Sequence, residues 1–133
     1  MATTGRPKGI LRPLPEVHPG QDSPGVDLLK VLWRFRVGMT YMSPAPLYHS
    51  APCGSVALAL LQGATVVVME HFDAAQFLDL VGRYRVTHSQ VVPTMFSRLP
   101  EPVREAADIS SLEVIINAAA SRGWCQRAPR EAE

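Results

Sequence analysis

An α/β fold, with a partial layer of parallel strands and helices flanking it, is predicted by three features of the 133-residue sequence. Apolar runs rich in β-branched residues alternate with segments whose apolar residues recur at three and four. Helices lying between successive strands are the connections that parallel pairing requires. The composition, 47% hydrophobic and 19% charged, is that of a globular chain, and one this long buries roughly two-thirds of its unfolded surface.

Five prolines (Pro7, Pro13, Pro15, Pro19 and Pro24) make the opening of the chain a loop. Ser23 supplies an N-cap before Pro24, and Leu28, Leu29, Leu32, Trp33 and Phe35 follow at near-helical spacing, which predicts a helix over residues 24–36. Residues 37–43 read as a short strand stopped by Pro44 and Pro46, which cannot continue a ladder. An apolar helix over 52–62 ends at Gly63, and Ala64-Thr65-Val66-Val67-Val68-Met69 reads as a buried strand. Asp73 caps a further helix whose Phe77, Leu78, Val81 and Tyr84 share one apolar face, expected to be core rather than a lipid tunnel. Residues 86–92 return as a strand, Pro93 opens a short helix, 102–107 form a helical turn, and 112–116 form another strand. From Ser121 to Glu133 no apolar period remains, so residues 121–133 are expected to be a polar tail.

Thirteen Lys and Arg against twelve Asp and Glu give a net charge of +1, which argues against nucleic acid as partner and makes any anion site local. Cys53 and Cys125 lack metal-ligand spacing, so no metal site is assigned and the thiols are expected to be reduced. Residues 1–9 do not resemble a secretory signal, and the apolar window 56–69 falls short of the ~20 residues of a membrane span. These features predict a soluble, cytoplasmic protein without a transmembrane segment.

Thr3-Thr4-Gly5-Arg6-Pro7-Lys8-Gly9 combines hydroxyls, glycines that admit close backbone approach, and cations, which is the chemistry of a phosphate cradle. It is not a Walker loop, because Lys8 precedes Gly9 and Ile10 follows. The alternative is a solvated turn. Of the four histidines, His18 is expected to be exposed, and His71 and His88 to be structural. His49 is the candidate for function, with capping of the following helix as its alternative. Arg83 and Arg85 read as solvated surface.

TTGRPKG resembles the second half of the phosphate loop of AMP-forming adenylating enzymes, and other segments agree in order. Pro44-Ala45-Pro46-Leu47-Tyr48-His49 resembles that family's second core motif. Residues 62–67, followed by Phe72-Asp73, resemble its next strand and helix start. Thr87-His88-Ser89-Gln90-Val91-Val92-Pro93-Thr94-Met95-Phe96 looks like the acyl-CoA synthetase branch. Residues 111–114 through Ala118-Ala119-Ala120 resemble the strand and small-residue turn lining the adenine pocket. The resemblance covers residues 3–120, a partial AMP-binding (adenylation) domain within 1–120, and identifies the chain as a fragment of the large N-terminal domain of a fatty-acid-CoA ligase.

The resemblance implies ATP-dependent activation of a carboxylic, fatty acid to an acyl-adenylate, followed by attack of the coenzyme A thiol. ATP, Mg2+ and coenzyme A are the implied cofactors. Thr3, Thr4, Gly5, Lys8 and Gly9 would hold the ATP phosphates and stabilise charge on the departing pyrophosphate. His49, the catalytic candidate, would sit beside the acyl carboxylate, and Ala118, Ala119 and Ala120 would let adenine lie against backbone.

Departures accompany the matches. Met1-Ala2 stand where the family has the start of its phosphate loop, the match stops after Ala120, and Asn117 stands where related synthetases often have His. Absent segments would leave strand edges and apolar faces uncovered, which predicts marginal stability or self-association. Three readings follow, in this order: an inactive remnant of an acyl-CoA synthetase; a part that binds nucleotide or complements other segments; and a small protein-interaction module.

Overall fold

A computed structural model describes residues 24–99, 107–117 and 125–127, together with 11, 16, 18 and 21. The expected cradle at Thr3, Thr4, Gly5, Lys8 and Gly9, the turn at Ala118, Ala119 and Ala120, and most of the helical turn at 102–107 lie outside these residues. The elements run α1 (Pro24–Trp33), β1 (Thr40–Ser43), α2 (Ser50–Leu61), β2 (Thr65–Val68), α3 (Ala74–Tyr84), β3 (His88–Val91), α4 (Pro93–Phe96), β4 (Val114–Asn117) and β5 (Cys125–Arg127). The α/β class and the parallel layer are as the sequence predicts.

The strands form one sheet in the order β2-β1-β3-β4-β5, with the first four parallel and β5 antiparallel to β4. The chain steps from β1 outward to β2 and then crosses back past β1 to β3. Right-handed crossovers in opposite directions place their helices on opposite faces. Accordingly α2 covers the face built from Tyr41, Val114 and Ile116, and α3 covers the face built from Met42 and Val91. Each face has its own core: Phe35, Met39, Leu58 and Ala59 on the first, and Phe77, Leu78, Val81 and Leu112 on the second.

Asp73 caps α3 as expected, its carboxylate accepting from the Gln76 N–H at 2.8 Å. Arg85 closes the same helix in the left-handed region (φ 50°) and its guanidinium reaches Asp108 at 3.1 Å. Arg83 lies over the Tyr84 ring at 5.4 Å, on the solvated surface that the sequence predicts for these arginines.

Three expectations are corrected. The first helix ends at Trp33, three residues early, because Arg34 turns left-handed (φ 56°) and Phe35 folds back into the core. Tyr84 sits 44% exposed, since at the last turn of α3 the apolar face has run past the sheet. The strand expected to be buried, β2, occupies an edge of the sheet, and Val68 is 50% exposed. Beyond β4, Cys125–Arg127 form β5, since strand pairing uses backbone groups that any sequence carries and β4 offers an edge.

Candidate functional site

In an open α/β sheet, ligands bind outside the carboxyl ends of the strands where the strand order reverses. Here that point is the crevice between β1 and β3. The loop after β1 borders this point, and it carries Pro44-Ala45-Pro46-Leu47-Tyr48-His49.

That loop is anchored at its base and open at its tip. Ser43 is buried, and its hydroxyl donates to the Ala45 carbonyl at 3.3 Å, holding the turn in which Pro44 and Ala45 pack inward. The His49 N–H closes a second turn onto the Pro46 carbonyl at 3.2 Å. Tyr48 is then lifted to 83% exposure, and its ring meets that of His49 with centroids 4.4 Å apart. His49 itself is the N-cap of α2 in extended backbone geometry (φ −81°, ψ 140°), and its carbonyl accepts the Cys53 N–H at 3.1 Å. Its imidazole makes no capping hydrogen bond among the described residues, and the ring is exposed.

The position of α2, and so of His49, is fixed by a buried polar bridge. Ser55, one and a half turns into α2, donates to Gln90 Oε1 of β3 at 2.8 Å, and both side chains are buried. Tyr41 of β1 lies close by with its hydroxyl buried and no partner in hydrogen-bonding geometry among the described residues; burial pushes the phenol up to about 12, with Ser55 acting in the opposite sense. On the opposite face, the Ser89 hydroxyl donates to the Met42 carbonyl at 2.9 Å, tying β3 to β1 again. Sequence reading passes over Ser55, Gln90 and Tyr41. The signal was available in His88-Ser89-Gln90-Val91, a polar segment in strand context, which only a central strand with built-in partners can hold fully buried.

His88 is structural, as expected. It is fully buried, meets Phe35 edge to face with centroids at 5.6 Å, and contacts Thr87 Oγ1 through Nδ1 at 2.8 Å. Burial and then the Arg36 charge hold its pKa below the ordinary histidine value, with Glu113 and the backbone of Arg34 and Trp33 acting the other way. His71 is exposed on the loop after β2. Asn117 ends β4 opposite Val91, with a buried Oδ1 that has no partner among the described residues. Of the site residues expected from sequence, His49 alone lies among the described residues, at the crevice that the topology selects. No group of three His, Cys, Asp or Glu side chains among the described residues is arranged to hold a metal. No helix among them is long and apolar enough to cross a membrane.

The family model for AMP-binding enzymes matches residues 2–128. The chain belongs to this AMP-binding family. A curated AMP-binding relative, 4-coumarate–CoA ligase 1 of Solanum tuberosum, is 31% identical over 126 residues, 91% of this chain and 22% of its own. 4-coumarate–CoA ligase-like 3 of Oryza sativa subsp. japonica is 43% identical over 68 residues, 50% of this chain and 11% of its own. Among solved structures, amide bond synthetase McbA from Marinactinospora thermotolerans is similar with a TM-score of 0.63 and 28% identity, over 68% of this chain and 18% of that one. The N-terminal domain of FACL13 from Mycobacterium tuberculosis shares the fold, with a TM-score of 0.60 and 24% identity over 64% of this chain and 22% of that one. The chain spans about a fifth of the length of the curated relatives that it matches along most of its own length.

Proposed function

We propose that this chain supplies the phosphate-loop and His49 segments of an ATP-dependent acid–CoA ligase, which converts a carboxylic acid through an acyl-adenylate to its coenzyme A thioester. The observation that carries the reading is the uncapped, exposed His49 imidazole at the β1/β3 crevice of an AMP-binding chain. In this reading the hydroxyls of Thr3 and Thr4, the backbone of Gly5 and Gly9 and the Lys8 ammonium hold the triphosphate, and His49 orients the carboxylate that attacks it. Ala118, Ala119 and Ala120, directly following β4, border the adenine. ATP supplies the adenylyl group, Mg2+ offsets phosphate charge, and the CoA thiol accepts the acyl group.

For the acid we propose the fatty class, which the Thr87–Phe96 resemblance implies. The names of the curated relatives favour a second candidate, a hydroxycinnamate. Cytoplasm is the compartment we propose.

Two measurements test the reading. A ligand that binds only the folded state raises the melting midpoint, and at 100 times its Kd contributes about 2.7 kcal/mol. Magnesium-ATP or a non-hydrolysable acyl-adenylate analogue is therefore expected to shift the melt of the purified chain upward, and indifference to both would mean that this chain alone is a non-catalytic fragment. Grafted in place of the matching segment of the Solanum ligase, the chain is expected to support adenylation, with fatty and hydroxycinnamic acids compared as substrates. Lys8→Ala and His49→Ala should each impair it, and unchanged adenylation rates in both variants would sink the role assignments.

A further inference from the structure

His88 is a titratable side chain in the middle of the sheet that the candidate site does not use. It is fully buried, in register with Tyr41 of β1 on one side and Val114 of β4 on the other. Phe35 lies against it edge to face with centroids 5.6 Å apart, and meets Tyr41 at 5.7 Å and Trp33 at 6.0 Å. Phe35 arrives there because Arg34 turns left-handed and the Phe35 N–H closes onto the Lys30 carbonyl at 2.9 Å. The His88 ring is therefore the floor on which the end of α1 rests.

Phe35 is also the firmest attachment that α1 has. Among the described side chains of residues 26–38, it alone is buried. Val26, Leu29 and Trp33 pack against the first core only in part, and Leu28, Val31 and Leu32 stand 62–78% exposed. A ten-residue helix with so little buried apolar surface opens at a lower free energy than the chain as a whole.

A proton on His88 meets no free anion among the described residues. Arg36 and Glu113 are the charged groups that face the ring, and they pair with each other at 2.6 Å. The Tyr41 phenol stays neutral, its pKa pushed up to about 12 by burial. Asp27 and Lys30 of α1 pair at 3.7 Å, and α2 carries no charged residue. Nδ1 contacts Thr87 Oγ1 at 2.8 Å, a hydroxyl already bonded to the Thr40 backbone. Nε2 is buried without a partner in hydrogen-bonding geometry among the described residues. A charge formed in such a place is costly, and opening to water relieves the cost.

We infer that His88 is a proton-operated latch: one proton taken up by its ring releases Phe35, and with it α1, while the strands stay paired. Release uncovers Leu58 and Ala59 of α2, which share the Phe35 cluster, and it does not depend on the proposed adenylation. In the open state the ring titrates at the ordinary histidine value of 6.5. In the closed state burial and the Arg36 charge outweigh the Trp33 and Arg34 backbone and hold its pKa lower. Opening therefore gains up to about tenfold per pH unit from 6.5 down to the closed-state value, and then levels off.

Amide exchange of the full chain at pH 7.5 and 5.5, corrected for the intrinsic rate and compared with urea unfolding at each pH, tests the latch. Expected is at least about a fivefold loss of protection at the Phe35 N–H and at residues 29–33 on acidification. The opening should be easier than global unfolding and nearly insensitive to low urea, with residues 77–81 of α3 better protected at both pH values. His88→Phe keeps a ring against Phe35 but cannot titrate, and should lose less than about twofold. Arg36→Gln frees the Glu113 carboxylate to face a protonated ring, and should at least halve the loss; it decides the matter if His88→Phe does not fold. Protection of α1 that is equal at both pH values, that falls as much in these variants as in the parent, or that is lost only through global unfolding would overturn the inference.

Discussion

Replacing Ser55 by alanine removes the hydroxyl that donates to Gln90 Oε1 at 2.8 Å and leaves a carboxamide without that partner in a site where Gln90 is 4% exposed. A buried polar group stripped of its partner costs about 1–3 kcal/mol, whereas removing both partners in favour of apolar groups is nearly neutral. Near the middle of that range, and at about 4 °C per kcal/mol for a domain of this size, Ser55→Ala should lower the melting midpoint by about 8 °C. The reverse change, Gln90→Leu, should cost less, about 1 kcal/mol, because a helical serine can turn its hydroxyl to the carbonyl four residues back. The double variant should then be no less stable than Ser55→Ala alone. Urea denaturation of the four proteins gives the coupling directly, expected at about 1 kcal/mol. A loss below about 0.5 kcal/mol for Ser55→Ala, or additive single changes, would refute the claim that this bridge holds α2 against β3.

Stability should fall as pH drops below 6.5, the ordinary histidine value: His88 keeps a lowered pKa when folded, so the unfolded chain takes up the proton first, and the loss levels off below the folded value. Urea midpoints between pH 8 and 5 for the protein and for His88→Phe read this, and an equally steep fall in the variant would count against it. Tyr41→Phe removes a buried hydroxyl without a partner in hydrogen-bonding geometry among the described residues, so equilibrium unfolding should show no loss of stability; a loss above about 1 kcal/mol would mean the hydroxyl is bonded after all. Asp73→Ala should cost about 1 kcal/mol through loss of the α3 cap, and Asp73→Asn should restore most of it, measured by denaturant midpoint. Arg34→Gly should raise the melting midpoint, since a non-glycine residue at φ 56° carries about 1 kcal/mol of strain; an unchanged or lowered midpoint would show that the arginine side chain contributes more than the strain.

Most helices were legible because their signals are local. Asp73 with Phe77, Leu78 and Val81 states a cap and a buried face within one turn or two, and the structure places them so. Where local signals failed, a non-local partner intervened. The helix over 24–36 stopped short because Phe35 is drawn into the core with Tyr41 and His88, which no spacing in residues 24–36 encodes. Residues 125–127 became a strand because β4 had an open edge. For the site, the motif 44–49 carried its own signature through resemblance, but the absence of a cap bond on the His49 ring could be seen only in three dimensions.

The sequence by itself determined the α/β class, the caps and faces of the helices and the family to which the chain belongs, because these depend on residue type and spacing over short stretches. Only the tertiary structure decided the strand order, which makes the β1/β3 crevice the candidate site, buries a Ser55–Gln90 bridge and leaves a valine-rich strand at the edge. The physical reason is that a strand carries the same backbone donors and acceptors whatever its side chains, so its neighbours are chosen by how the crossovers pack and not by the strand's own residues.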